Sequence, residues 1–245
     1  MKTIHLNCDL GEGGKYDAQL MPNISACNIA CGGHAGDEET MLRTVLLALN
    51  NNVEIGAHPS YPDRENFGRR SLDISDNDLK RSIQEQLFSL HEIVQKQGGK
   101  LTHIKPHGAL YNDAAKDKRI AEIILNSIVE SNLDLKLYAP QNSIISKLAN
   151  GKIEVVFEAF VDRNYKPDFS LVSRTKSNAL ITQKEAVFKH LFSMFYDGEI
   201  VCENDSKISS CAATFCLHSD TPNAVEILEY LVEKLNAMNI KIAKI

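Results

Sequence analysis

Short apolar runs alternate along this chain with longer stretches in which apolar residues recur every three or four positions. Runs at 4–8, 25–31, 53–57, 101–105, 135–139, 154–160 and 212–217 have strand length, while 38–50, 78–97, 115–131, 142–150, 185–196 and 223–237 carry helical periodicity. The alternation predicts an α/β chain of parallel βα units, because a crossover helix lets each strand start from the same end as the last. Seven strands suit a barrel, and an open sheet fits the same pattern.

The helix boundaries are marked by residue type. Thr182 and Glu185 have the spacing of a capping box, and Thr221 before Pro222 sets a cap residue ahead of a proline at the first helical position. Gly98-Gly99 and Gly151 stand where helices should stop, since glycine tolerates a left-handed backbone. No Ser- or Pro-rich linker, low-complexity tract or repeat divides the chain, so residues 1–245 read as a single barrel domain. Segments 162–177 and 197–210 are long for βα connections and are expected as active-site walls or partner contacts.

Composition narrows the function classes. With 43% hydrophobic and 24% charged residues the chain can bury one large core, which excludes a disordered protein. A formal net charge of −5 without a basic stripe excludes a nucleic-acid binder and points to small ligands. The first residues turn polar before an apolar signal region develops, and no apolar run is long enough to cross a bilayer, so no membrane partner and a cytoplasmic location are expected. Six cysteines (Cys8, Cys27, Cys31, Cys202, Cys211, Cys216) are expected mostly as small buried hydrophobes rather than disulfide staples. Cys27 and Cys31 lack the second Cys or His pair that a structural zinc site requires.

Parallel α/β folds place their ligand sites at the C-terminal ends of the strands, and the unusual polar residues concentrate there. Successive strands run into Asn7-Cys8-Asp9-Leu10-Gly11-Glu12-Gly13, into Asn28 followed by His34 and Asp37, into His58-Pro59-Ser60-Tyr61-Pro62-Asp63-Arg64, and into Lys105-Pro106-His107-Gly108-Ala109-Leu110-Tyr111-Asn112. His218-Ser219-Asp220-Thr221-Pro222 ends the series, and Glu158, Asp162 and Arg163 follow a further strand. One histidine at a strand end is ordinarily structural; five such blocks at equivalent positions describe one pocket, because burying these groups unpaired costs several kcal/mol each. For Asp162 and Arg163 the plain alternative is a solvated ion pair in a loop. Carboxylates and imidazoles suit acid/base work or a divalent ion, with Asp9, His34 and His58 the metal candidates. Lys105 suits an oxyanion or a substrate carboxylate, or simply a buried ion pair with Asp9. Gly11-Glu12-Gly13-Gly14-Lys15 lacks the first Gly and final Ser or Thr of a phosphate loop.

In order and spacing the blocks at 7–13, 28–37, 55–70, 105–112 and 218–222 resemble the LamB/YcsF family, the 5-oxoprolinase A subunits, across almost the whole chain. The resemblance implies a (β/α)7-like barrel of the glycoside hydrolase/deacetylase type that works with two partner subunits, B and C. Together they would cleave 5-oxo-L-proline (pyroglutamate) to L-glutamate while ATP becomes ADP and phosphate. Gly33, where that family usually has an aromatic, Ser219, where it usually has Gly, and Ser177-Asn178, in place of a Gly-containing turn, depart from its pattern and bear on pocket shape.

Under this reading Asp9 or His107 is the expected base, Lys105 holds the oxyanion or substrate carboxylate, and His34 and His58 position groups or move protons. Asn7, Glu12, Asn28, Asp63, Arg64, Tyr111, Asn112, Glu158, Arg163, His218 and Asp220 are the expected substrate contacts. The chain has no nucleotide motif of its own, so the ATP site is expected mostly on a partner. The alternatives are a stand-alone metal-dependent deacetylase or amidohydrolase, and a subunit that binds a ligand without catalysing.

Overall fold

The computed structural model describes residues 2–244. In chain order the elements are β1 (Lys2–Ile4), β2 (Leu6–Leu10), α1 (Asp17–Leu20), β3 (Ala26–Ala30), α2 (Glu38–Asn50), β4 (Glu54–His58) and α3 (Asp76–Lys96). There follow β5 (Leu101–Ile104), α4 (Gly108–Lys116), α5 (Lys118–Glu130), β6 (Lys136–Pro140), α6 (Ile144–Ala149) and β7 (Val155–Phe160). The chain continues through α7 (Lys184–Phe192), β8 (Glu199–Val201), β9 (Lys207–Ser209), β10 (Thr214–Cys216), α8 (Ala224–Ala237) and β11 (Ile240–Ile242).

Seven parallel strands close into a barrel in the order β10-β2-β3-β4-β5-β6-β7, with β10 bonded to both β2 and β7. This is the barrel that the resemblance implies, and one of the two arrangements that the alternation allows. Every residue of β2 and β3 is buried, which explains why the strands read as continuous apolar runs rather than alternating ones. The helices wrap the outside with one apolar face each. In α3, Leu79, Ile83, Leu87, Leu90 and Val94 recur at three- and four-residue spacing toward the barrel. Ser75 caps its first turn by accepting from the Asp78 N–H, and Gly98, at φ +74°, follows its end.

Several boundaries differ from the sequence reading. The expected strand at 4–8 is two strands, because β1 turns aside at His5 to pair with β11 outside the barrel. The helix expected at 115–131 begins at Lys118, where Asp117 caps it by accepting from Arg119 and Ile120. The residues before it, Gly108–Lys116, form α4, a separate helix that the sequence reading did not set apart. The capping box is absent: Gln183 starts α7 without a side-chain cap. Thr221 does not cap α8 either, since that helix starts after Asn223 and the Thr221 hydroxyl donates to Asp162 instead. Segment 197–210 folds into the β8–β9 hairpin.

All six cysteines are free, and Cys211 is exposed while the other five are buried. Thiol titration of the folded chain with a bulky aromatic disulfide should therefore show a single fast-reacting thiol, with the remainder appearing on unfolding. More than one fast thiol would mean that the barrel wall opens readily.

Candidate active site

The C-terminal ends of the barrel strands meet under a cavity of about 710 Å³ whose lining includes Asp9, His58, Lys105, His107, Glu158 and His218. At its floor Lys105, 1% exposed, holds Asp9 Oδ1 at 2.9 Å and Glu158 Oε1 at 2.8 Å. Its ammonium also lies 5.0 Å from the Phe160 ring centroid. Asn28 donates to Asp9 Oδ1 at 2.7 Å and to Asn7 Oδ1 at 2.8 Å, while its own oxygen lies 2.8 Å from His103 Nε2. Burial alone would raise the Asp9 carboxyl, but His58 and Lys105 overcome it and hold Asp9 well below the usual carboxylate range. Burial would likewise lower Lys105, and Asp9, Cys216 and Glu158 keep it well above the ordinary lysine value. The floor is thus a buried, ionised pair with neutral amides beneath it.

Gly56 makes room for that floor. A Cβ at this position would overlap the His103 imidazole. Gly56→Ala is expected to cost about 1–3 kcal/mol by overpacking, read as a lower urea midpoint; an unchanged midpoint would show that His103 can move aside.

Beside Asp9 stands a second group. Glu12 Oε1 lies 2.9 Å from His34 Nε2, 3.3 Å from His107 Nδ1 and 3.8 Å from His58 Nε2. His34 and His107 stack with centroids 3.6 Å apart and an interplanar angle of 2°. Burial pushes His34 down to about 2 and His107 well below the ordinary imidazole value, which favours the neutral form of both rings. Burial, with the charges of Asp9 and Asp220, pushes the Glu12 carboxyl up. Glu12, His34, His58 and His107 offer ligand atoms all within 4.8 Å of one another. Of the metal candidates named from sequence, His34 and His58 belong to this group; Asp9 Oδ1 contacts Lys105 and Asn28, and its Oδ2 lies 3.4 Å from His58 Nε2.

The remaining sequence-named residues divide by place. Tyr111 and Asn112 line the cavity on α4; the Tyr111 hydroxyl is buried, and burial and Glu158 push it up. Asn7 and Asn28 are fully buried below the floor and touch no cavity space. Asp63 and Arg64 are not part of the lining: Asp63 accepts from Asn66, and Arg64 donates to the carbonyls of Gly32 and Gly36. Asp37 caps α2 outside the site. Arg163 borders the cavity, yet its guanidinium holds the carbonyls of Val172 and Ala179 and so shapes the 162–177 wall. Asp220 sits at the rim between Arg69 and Arg174.

Asp162 and Arg163 do not pair with each other. Asp162, fully buried, lies 3.0 Å from His218 Nδ1 and accepts from the His218 N–H and the Thr221 hydroxyl. Burial works against its ionisation, but His218 and Thr221 hold it below the usual range. The sequence reading did not name Arg174; Arg69 belongs to the charged 63–70 loop, whose cations suit a carboxylate or phosphate, and His103 stands two residues before Lys105 in the fourth block. Of the three departures, Gly33 sits against Gln86 and Ser60, with no space for a side chain, and the Ser219 hydroxyl donates to the Asp9 carbonyl at 2.6 Å.

Comparison with known proteins places these residues in a family. The A subunit of a 5-oxoprolinase from Bacillus cereus (strain ATCC 10987 / NRS 248) is 43% identical over 98% of this chain and 98% of its own. Its counterpart of the same description from Haemophilus influenzae (strain PittEE) is 38% identical over 99% of each. Among solved structures, the lactam utilization protein from Thermus thermophilus superposes with a TM-score of 0.91 at 30% identity, covering 100% of both chains. A family 4 carbohydrate esterase from Streptomyces lividans, at 9% identity and a TM-score of 0.52, shares the fold alone. Residues 4–245 match the profile of the LamB/YcsF family, and the chain belongs to that family.

Proposed function

We propose that this chain is the A component of an ATP-dependent 5-oxoprolinase and binds and hydrolyses the lactam of 5-oxo-L-proline. B and C subunits would supply the site where ATP phosphorylates the ring carbonyl oxygen. A lactam carbonyl is a poor electrophile, and phosphorylation turns it into a reactive imidate. Water adds to the activated ring carbon and gives up a proton to Asp9. Protonation of the ring nitrogen then lets the C–N bond break, leaving γ-glutamyl phosphate, and a second water releases glutamate and phosphate. Arg69 and Arg174 at the rim offer guanidinium groups to the substrate carboxylate or phosphoryl group.

The observation that carries this reading is Asp9, held ionised by Lys105 at the edge of a cavity of about 710 Å³, beside three imidazoles. The relatives named for the same activity support it. The test is glutamate release by the chain with and without B, C and ATP. Turnover is expected only with all three, and robust ATP-independent turnover by the lone chain would overturn the proposal. That outcome would favour a metal-dependent amidohydrolase, a reading that draws on the Glu12, His34, His58 and His107 group.

No described helix is long and apolar enough to cross a membrane. A cytoplasmic location belongs to the same proposal, since ATP and free 5-oxoproline would have to meet there.

A further inference from the structure

We propose that Glu12, His58 and His107 form a binding site for one divalent cation of the zinc class, with His34 orienting the carboxylate. His58 Nδ1 lies 2.7 Å from the Lys105 carbonyl, and His107 Nε2 lies 3.0 Å from the Phe67 carbonyl. A carbonyl only accepts, so both of these nitrogens carry hydrogens. That leaves His58 Nε2 and His107 Nδ1 as the nitrogens turned toward a ligand, and they face each other at 3.0 Å. At that separation the two nitrogens need a proton or a metal ion between them. Imidazoles whose far nitrogens donate to backbone carbonyls are also how proteins aim metal ligands.

The distances fit an ion. The three ligand atoms form a triangle with edges of 3.0, 3.3 and 3.8 Å. The point equidistant from them lies about 2.0 Å from each, so an ion displaced slightly from their plane reaches all three at about 2.1 Å, the length of zinc bonds to imidazole and carboxylate. Two imidazoles and one carboxylate leave a fourth position open, as in catalytic zinc sites. His34 does not complete the set: its ring is parallel to His107 and 3.6 Å away, so an ion in the plane of one ring lies off the plane of the other. Its Nε2 instead reaches Glu12 Oε1 at 2.9 Å.

The site lies among buried carboxyl groups: Asp9 Oδ2 is 3.4 Å from His58 Nε2, and Asp9 and Glu158 share the Lys105 ammonium. Binding of the cation is independent of which amide the cavity takes.

The test is titration of chelator-treated, dialysed chain with Co²⁺. One equivalent should bind with the strong visible absorption of a four- or five-coordinate ion, and Zn²⁺ should displace it. Glu12→Gln and His107→Gln should each weaken binding at least about 100-fold, and His34→Gln about 10–100-fold, the range for a group that supports a ligand. Circular dichroism checks that each variant folds. If Glu12→Gln does not, the imidazole ¹⁵N shifts of His58 and His107 in the unaltered chain should still move on Zn²⁺ addition. Absence of stoichiometric binding by the folded chain, or binding that neither Glu12→Gln nor His107→Gln weakens, overturns the proposal in favour of a proton shared by the two rings. A chain that binds the ion yet forms no glutamate with its partners keeps the cation site and removes the lactam reading. A complex that releases glutamate but binds no ion does the reverse.

Discussion

Lys105→Met should destabilise the chain by about 3–5 kcal/mol, because it strips the cation from two carboxylates and leaves them buried without a counter-charge. Asp9 is 4% exposed and Glu158 4% exposed, so water cannot take over the role of the ammonium. Methionine fills nearly the same volume, which separates the electrostatic loss from a cavity effect. Urea unfolding read by circular dichroism gives the size of the change. The loss should shrink in acid, where protonated carboxyls no longer need the cation. A variant as stable as the parent at neutral pH would show that the Asp9–Lys105–Glu158 cluster is not ionised as drawn.

Asp9→Asn is expected to lower glutamate release by the reconstituted complex about 10²–10⁴-fold, the range for removing a general base. The amide keeps the shape and can still accept from Lys105 and Asn28, so folding and assembly of the complex should survive. Lys105 also retains Glu158 as a counter-ion. Turnover and assembly are measured on the same sample. An assembled complex with full turnover would remove Asp9 from the chemistry and leave the chain as a ligand-holding component.

The barrel was legible because most residues of its seven strands are buried and leave largely apolar runs, with helical periodicity between. The floor of the site was legible because the topology puts consecutive strand ends side by side: Asp9 pairs in register with Asn28, and Ala30 with His58. What escaped was set by partners distant in sequence. Asp162 looked like half of an ion pair with its neighbour, yet it serves His218, 56 residues away. Thr221 looked like a helix cap and became a donor to that same carboxylate. Arg163 was expected as a substrate contact; it borders the cavity, and two of its guanidinium nitrogens hold carbonyls of the wall beside it. Local spacing states what a residue is able to do, and long-range packing decides which of those options it takes. The α4 helix was hidden because Gly108, at φ +54°, starts it directly after His107, within a block read for its chemistry alone.

Because β10 is the strand that joins β7 back to β2, the cavity is assembled last. During synthesis Asp9, His58 and Lys105 emerge long before Cys216 and His218, and until then β2 and β7 each present a bare edge to solvent. Such edges invite pairing with other chains. A ribosome stalled before residue 214 would therefore hold an open, sticky sheet with no reaction chamber, and the arrival of β10 converts a liability for aggregation into a closed vessel.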